Sequence, residues 1–288
     1  MRIALSVLVL VLLVGVAPVL DAGAGAAPAQ HSTSTVWPSQ GQAAYALGAP
    51  ATVRSSPHAH KAPIASMAKV MTAYAVLWRF PLAIGANGFT MVVTQLDVND
   101  RAWRVSRGES TVPVARGERL TERQALAALL LPSANNVAIM LARRVSGSVT
   151  KFVALMNSTA RSLHMRQTTY TDPSGFEAST QSTPGDQVLL AQATIWINFI
   201  RIMAQQSSYW IPVAGRVYNT DTLLRHAGFV GIKTGSMSQS GGCFMFRTRR
   251  VIAGKVVSVY GVVMGQTGPY GYLQAGLDAS RRLADRVA

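Results

Sequence analysis

The sequence predicts an α+β fold, in which an antiparallel sheet built from both ends of the chain is flanked by helices and carries an all-helical subdomain beside it. Three observations predict it. Strand composition appears early, at Ala44–Leu47, and returns late in three runs around Phe229–Thr234, Cys243–Thr248 and Val256–Met264, joined by Gly- and Arg-containing turns. Helix-forming composition fills an insert from about 84 to 171 between those ends. The closing segment Tyr272–Val287 spaces Leu273, Leu277, Ala284 and Val287 at helical intervals, and a stripe of that kind packs on a sheet.

A chain of 288 residues with 49% hydrophobic and 14% charged residues can bury a sizeable core and is not a disordered polymer. Its one cysteine, Cys243, excludes an intrachain disulfide framework and a cysteine-built zinc site. The 27 basic residues, 22 of them Arg, outnumber 12 acidic ones for a net charge of +15, so the chain adheres to polyanions: nucleic acid, anionic lipid or an acidic wall polymer. The N-terminus selects among them. Met1-Arg2 is followed by the apolar run Ile3–Leu20, broken only by Ser6, Gly15 and Pro18, and then by the small residues Ala22 to Ala27. Residues 1–27 therefore read as a secretory signal or, because the run can span a bilayer, as an uncleaved N-terminal anchor. Export excludes nucleic acid as a partner and predicts an extracytoplasmic protein, secreted, cell-wall associated or N-terminally membrane-anchored, whose positive charge faces membrane lipid or anionic wall polymer.

Residues 28–42, rich in Ser, Thr, Pro and Gln, read as a linker, and 43–288 as one folded domain. Ala44–Leu47 predicts a short strand and Pro57–Pro63 a loop. Ser66 to Trp78 is apolar all round and contains no breaker, the pattern of a buried helix with Ser66 at its start. Thr90–Thr94 predicts a strand or extended loop, and Arg101–Glu118 an irregular polar segment. Thr121 and Gln124 have capping-box spacing ahead of the helix Ala125–Leu131, which Pro132 ends. Two further helices follow, Asn136–Val145 and Val149–Leu163, separated by Gly147. Asp172-Pro173-Ser174-Gly175 is a turn, and Ser182 to Asp186 caps a helix carrying Val188, Leu189 and Leu190.

Three short patterns carry chemistry. Ser66 and Lys69 lie one helical turn apart on one face. A serine hydroxyl becomes a nucleophile when a base takes its proton, and a lysine amine serves if burial or a neighbouring cation keeps it neutral. Standing alone, such a pair more often means a capping serine and an exposed lysine, but the apolar run around it places Lys69 in a buried helix. Ser133-Ala134-Asn135 follows Pro132 at a break between helices, where a hydroxyl and an amide can point into one cleft; a lone triplet of this kind is more often an N-cap for the helix that follows. Lys233-Thr234-Gly235 ends a β-prone run, with Lys233 and Gly235 on one face and a glycine that permits close backbone approach. It is the sharpest of the three, since a chance Lys-Thr-Gly arises in only about a few per cent of such chains.

In this order the patterns resemble the motifs of the penicillin-recognising serine enzymes. Their surroundings resemble the serine D-alanyl-D-alanine carboxypeptidases, low-molecular-weight penicillin-binding proteins of peptidase family S11. The resemblance rests on Ile64-Ala65-Ser66-Met67-Ala68-Lys69, Leu131-Pro132-Ser133-Ala134-Asn135-Asn136, Asp172-Pro173-Ser174-Gly175 and Gly231-Ile232-Lys233-Thr234-Gly235 followed by Gly242-Cys243, and it spans about Ala43 to Leu283. It implies a β-lactamase/transpeptidase-like fold and removal of the terminal D-alanine from peptidoglycan stem pentapeptides through an acyl-enzyme that β-lactam antibiotics also form. It further implies that Ser66 is acylated, Lys69 is its base, and Ser133 relays a proton to the leaving group. Asn135 would hold the substrate amide, and Lys233 and Thr234, with Gly235 beside them, the terminal carboxylate. The N–H groups of Ser66 and Ser236 would form the oxyanion hole. No metal or organic cofactor is needed.

Two departures stand out. Many family members carry an Arg after the strand corresponding to Val262–Gly265, where this chain has Gln266-Thr267-Gly268-Pro269. Nor is there a counterpart of the additional β-rich domain and C-terminal amphipathic anchor of several members. Other readings are a class A β-lactamase, for which Glu177 is the nearest catalytic glutamate but lacks a Glu-x-x-Leu-Asn context, a D,D-endopeptidase, and a non-catalytic penicillin-binding scaffold. A metal-dependent enzyme would have only the loop pair His58 and His60 to draw on. His164, His226 and Cys243 read as surface or packed residues, and Trp78 and Trp103 as core or cleft wall.

Overall fold

The computed structural model describes residues 36–226 and 228–287. The segment read as a signal or anchor, 1–27, lies outside the described residues, as does most of the linker. In chain order the strands are β1 (Gln42–Leu47), β2 (Arg54–Ser55), β3 (Ala62–Pro63), β4 (Thr90–Val92), β5 (Arg119–Thr121), β6 (Gln181–Ser182), β7 (Ser208–Ile211), β8 (Gly215–Tyr218), β9 (Phe229–Met237), β10 (Gly241–Ile252) and β11 (Lys255–Gln266). The α-helices are α1 (Ala68–Arg79), α2 (Gln95–Ser106), α3 (Glu122–Leu130), α4 (Asn135–Ser146), α5 (Val149–Ser162), α6 (Pro184–Ala193), α7 (Asn198–Met203) and α8 (Gly271–Arg286).

The two chain ends build one antiparallel sheet in the order β2-β1-β11-β10-β9. Ala44 lies opposite Val262 across β1 and β11, and Met245 opposite Lys233 across β10 and β9, which leaves β9 at an edge. Strand alternation sorts the side chains to two faces. Ala43, Tyr45, Phe244, Phe246, Val259 and Val263 pack with Leu277, Leu283 and Ala284 of α8. Ala44, Ala46, Met245, Tyr260, Val262 and Met264 join the larger core with α1, α3, α4 and α6. Each buried Leu of the α8 stripe contributes about 1.5–3 kcal/mol, so the predicted stripe holds that helix on the sheet.

The insert is not all-helical, and its first helix escaped prediction. Strands β4 and β5 pair as a small ribbon, Thr90 opposite Thr121. Helix α2 covers the start of the segment expected to be irregular, because Thr94 and Asp97 form a capping box with Asp where Glu or Gln is usual. Its buried residues are Asp97 and Arg104, so it carries no apolar stripe to read; Arg104 instead donates to Asp100 at 2.8 Å one turn back. The predicted capping box of α3 is present, and α4 and α5 lie within a residue of expectation at either end. Helix α7 and the β7–β8 hairpin were also unforeseen. Trp78 is 71% exposed beside Trp196 in an apolar groove, and Trp103 is 50% exposed, so neither belongs to the core. Among the described residues no helix is long and apolar enough to cross a membrane.

Candidate active site

Ser66 sits in a single 3-10 turn, Ala65–Met67, that leads into α1, rather than capping the helix itself. Ala65 has φ +46°, and this left-handed residue swings the chain so that Ser66 heads the helix. Every residue of α1 from Ala68 to Leu77 is buried, as the unbroken apolar run predicted, and Lys69 is 0% exposed. Its Nζ lies 2.8 Å from Ser66 Oγ and donates to the Ser174 carbonyl at 2.8 Å. That carbonyl is held by the Asp172–Gly175 turn, where Asp172 Oδ2 accepts from the Ser174 and Gly175 N–H groups at 3.0 and 2.8 Å. Gly175 has φ +77°, and a side chain there would strike the Ala65 carbonyl, so only glycine lets the turn dock on the serine turn.

Burial first, and then the charge of Lys233, hold the Lys69 amine well below its ordinary pKa, against a weaker opposite pull from Asp172 and Glu109. Lys233, on β9 and 2% exposed, is itself pushed down by burial to about 7, with Asp221 opposing. Burial raises Asp221 to about 6. A neutral amine at hydrogen-bond distance from a hydroxyl has a lone pair ready for its proton.

The second motif lies where Pro132 ends α3. Ser133 adopts φ +68°, a costly conformation for a non-glycine residue, and its buried Oγ has no partner in the protein. Ala134 holds the cap position without a side-chain cap hydrogen bond and Asn135 is the first residue of α4, so neither the hydroxyl nor the amide of the triplet is spent on capping. Asn135 donates from Nδ2 to Glu109 Oε2 at 2.7 Å, while its Oδ1 is buried without a partner. Glu109 Oε2 also accepts from Arg104 Nη1 at 2.8 Å.

The third motif forms the opposite wall. A Cβ on Gly235 would come within 3.0 Å of the Ser66 nitrogen, so the missing side chain lets β9 run close along the serine turn. Thr234 Oγ1 shares a 2.5 Å hydrogen bond with Thr220 Oγ1. A cavity of ≈ 500 Å³ brings Ser66, Asn135 and Ser236 together with Glu109, Arg107 and Glu177. Arg107 lies 4.4 Å above the Trp103 ring and 4.8 Å from that of Phe176, and it meets Glu177 Oε1 at 3.1 Å, the Glu177 side chain remaining 52% exposed. Trp103 is thus a support for the cleft rim.

Gln266, at the end of β11, is buried and donates to the Gln40 and Met264 carbonyls at 2.9 and 3.0 Å, so it is committed to the backbone. His58, His60, His164 and His226 are exposed, and burial pushes the Cys243 thiol up to about 11. Among the described residues no group of three His, Cys, Asp or Glu is arranged to hold a metal ion. Sequence reasoning missed Glu109, Arg104, Asp172 as the organiser of its turn, and Asp221. Only Asp172 had a local signal, the Asp-Pro-Ser-Gly turn.

The fully buried Lys69 against Ser66 and the edge strand closing on that turn match the arrangement expected of the penicillin-recognising serine enzymes. The chain belongs to the D-alanyl-D-alanine carboxypeptidase family, peptidase family S11, whose model matches residues 52–268. It is 27% identical to a D-alanyl-D-alanine carboxypeptidase of Streptomyces sp. strain K15, over 84% of this chain and 86% of that one. It is 28% identical to D-alanyl-D-alanine carboxypeptidase DacD of Escherichia coli over 62% of this chain, but spans only 46% of that longer relative. The solved structure of the Streptomyces K15 DD-transpeptidase shares the fold, with a TM-score of 0.75 at 22% identity over 87% of this chain and 98% of that one.

Proposed function

We propose that this protein is a serine D,D-carboxypeptidase that removes the terminal D-alanine from peptidoglycan stem pentapeptides. The observation that carries the reading is the 2.8 Å contact between Ser66 Oγ and the Nζ of a fully buried lysine whose pKa is lowered. Lys69 takes the hydroxyl proton as Ser66 Oγ bonds to the penultimate D-alanine carbonyl carbon, and the oxyanion is met by the N–H groups of Ser66 and Ser236. Ser133, whose Oγ is free of protein partners, passes its proton to the departing D-alanine nitrogen as the C–N bond breaks and is reprotonated by Lys69, which is thereby neutral again. Asn135 holds the substrate amide, and Lys233 and Thr234 hold the terminal carboxylate. Water then attacks the acyl-enzyme with Lys69 as base and frees Ser66. A β-lactam enters the same sequence through its ring carbonyl and leaves slowly.

The N-terminal 27 residues deliver or anchor this catalytic region outside the cytoplasm, and the +15 charge favours contact with anionic lipid or wall polymer. The test is release of D-alanine from a pentapeptide ending in D-alanyl-D-alanine, together with labelling by a fluorescent penicillin. Labelling is expected at Ser66 and is lost in Ser66→Ala; an adduct mapped to another residue overturns the assignment. Cleavage of a cross-linked dimer in preference to the pentapeptide would identify an endopeptidase instead.

A further inference from the structure

Large aromatic side chains lie bare at the end of α1 remote from Ser66. Leu77, Trp78, Pro81, Leu82, Trp196 and Ile197 line a groove of ≈ 450 Å³. Trp78 stacks on Tyr74 at 6.2 Å and still leaves most of its surface in water, Trp196 is 78% exposed, and Ile84, two residues beyond Leu82, is 72% exposed. Exposed apolar side chains gathered in one place mark an interaction surface. The border of this one is cationic. Arg79 follows Trp78 and is exposed. Arg201 donates from Nη2 to Oδ1 of Asn198, a groove residue, at 2.8 Å. Arg123 lies 5.5 Å from the ring of Phe199, another groove residue, and donates to the Ala86 and Ala83 carbonyls on either side of Ile84 at 2.6 and 3.3 Å. Residues 74–96 and 187–220, which supply the groove, contain no Asp or Glu, and Glu122 beside Arg123 is buried, so no exposed carboxylate from these segments offsets the arginines.

An apolar trough with indole walls and an arginine border complements a bilayer with anionic headgroups. Indole rings settle at the headgroup level, and guanidinium groups stay with the phosphates while their stems lie along apolar surface. A sugar polymer would ask for hydroxyl partners, which a wall of Leu, Pro and Ile does not offer, and the Asn198 oxygen is already taken by Arg201. We propose that this groove docks the protein on anionic phospholipid, with Trp78 and Trp196 entering the headgroup layer. Such docking locates the anionic-lipid contact read above from the net charge, on which it rests, and uses none of the serine chemistry. The 12 residues of α1 set the groove about 18 Å from the Ser66 turn, and groove and catalytic cavity share no lining residue, so docking leaves the cleft open.

The test uses the full chain and vesicles of phosphatidylglycerol and phosphatidylcholine in equal parts, whose brominated acyl chains quench tryptophan. Subtracting the emission of Trp78→Phe/Trp196→Phe isolates the groove signal from the rest of the five tryptophans. That signal should shift to the blue and be quenched by these vesicles, and do neither with pure phosphatidylcholine or at high salt, where the headgroup attraction is screened. Arg79→Gln/Arg201→Gln should need about 10–30-fold more lipid for half-maximal quenching, at about fivefold for each Arg beside an anionic surface. Arg281→Gln/Arg282→Gln, an equal loss of charge on α8, should need less than about threefold more, and release of D-alanine from a soluble pentapeptide should be unchanged in every variant. A groove signal that no vesicle quenches, that neutral and anionic vesicles quench alike, or that both Arg pairs weaken alike would overturn the proposal. So would a blue shift before lipid is added, with the chain's own N-terminus or a second copy filling the groove, or one produced by a soluble anionic wall polymer alone. Vesicle binding with the groove unquenched would sink this assignment and leave a lipid contact elsewhere; no vesicle binding at all would sink both. If Trp78→Phe/Trp196→Phe does not melt cooperatively, Trp196→Phe alone isolates the more exposed indole and carries the same comparison.

Discussion

Replacing Lys233 by Gln removes a positive charge from the cleft while keeping most of the side-chain length. The loss has two parts. The first is direct: a unit charge about 4 Å from a substrate carboxylate is worth about 4 kcal/mol at an effective dielectric constant near 20. Removing one preorganised donor elsewhere costs about 2.7–4 kcal/mol, so we expect kcat/KM to fall by about 2–4 kcal/mol, or roughly 30- to 1,000-fold. The second part acts through Lys69. Lys233 is the second cause, after burial, of the lowered Lys69 pKa, so its removal raises that pKa and leaves less neutral base at a given pH. In the wild type, activity should rise as Lys69 loses its proton and fall as Lys233 loses its own, at about 7 in the free enzyme. Because the two lysines interact, each limb belongs to the pair. In Lys233→Gln the alkaline limb should vanish and the acid limb move to higher pH. D-alanine release and the second-order rate of penicillin acylation, each followed across pH, provide the assay. Activity within threefold of wild type, or an alkaline limb that survives the substitution, refutes the reasoning.

Three other perturbations test separate parts of the structure. Gly235→Val places a side chain 3.0 Å from the Ser66 nitrogen and 3.2 Å from Ala65 Cβ; penicillin acylation should drop at least about 100-fold while thermal melting still shows a folded protein. Burial raises Glu122, at the start of α3, from its ordinary 4.5 to about 7. The unfolded chain thus releases this proton first, and the stability it contributes is complete below pH 4.5 and lost as pH rises through 7. Glu122→Gln should melt higher than wild type at pH 8 and show no such gain at pH 4, and a gain independent of pH would contradict the account. Glu177 is turned to Arg107 at the exposed rim, so the penicilloyl adduct should be released over minutes or longer in both wild type and Glu177→Ala. Fast penicillin hydrolysis that disappears in Glu177→Ala would make the enzyme a β-lactamase.

The three motifs were legible in the sequence because each is local. Ser66 and Lys69 share a face whatever surrounds α1, and the apolar run alone said that Lys69 is buried. Alternation and apolar spacing likewise placed β1, β9 to β11 and α3 to α5, since those elements bury one side in a core. Helix α2 has no apolar stripe and is held by the contacts of Arg104 with Asp100 and Glu109, so hydrophobic spacing could not reveal it. Of the core-or-cleft reading of the tryptophans the cleft part holds for Trp103, under Arg107 at the rim, whereas Trp78 stays 71% exposed, because an aromatic side chain does not say which neighbours arrive to cover it.

Only the tertiary structure decided how the site works. It put the Ser174 carbonyl, 105 residues away, on Lys69, set Lys233 near that amine, and placed Glu109 against the donating end of Asn135. Sequence spacing determines which side chains of one element point the same way. Desolvation, charge coupling and the orientation of a side-chain amide depend on groups brought from elsewhere in the chain, and those distances exist only once the sheet, the insert and the loops have packed together.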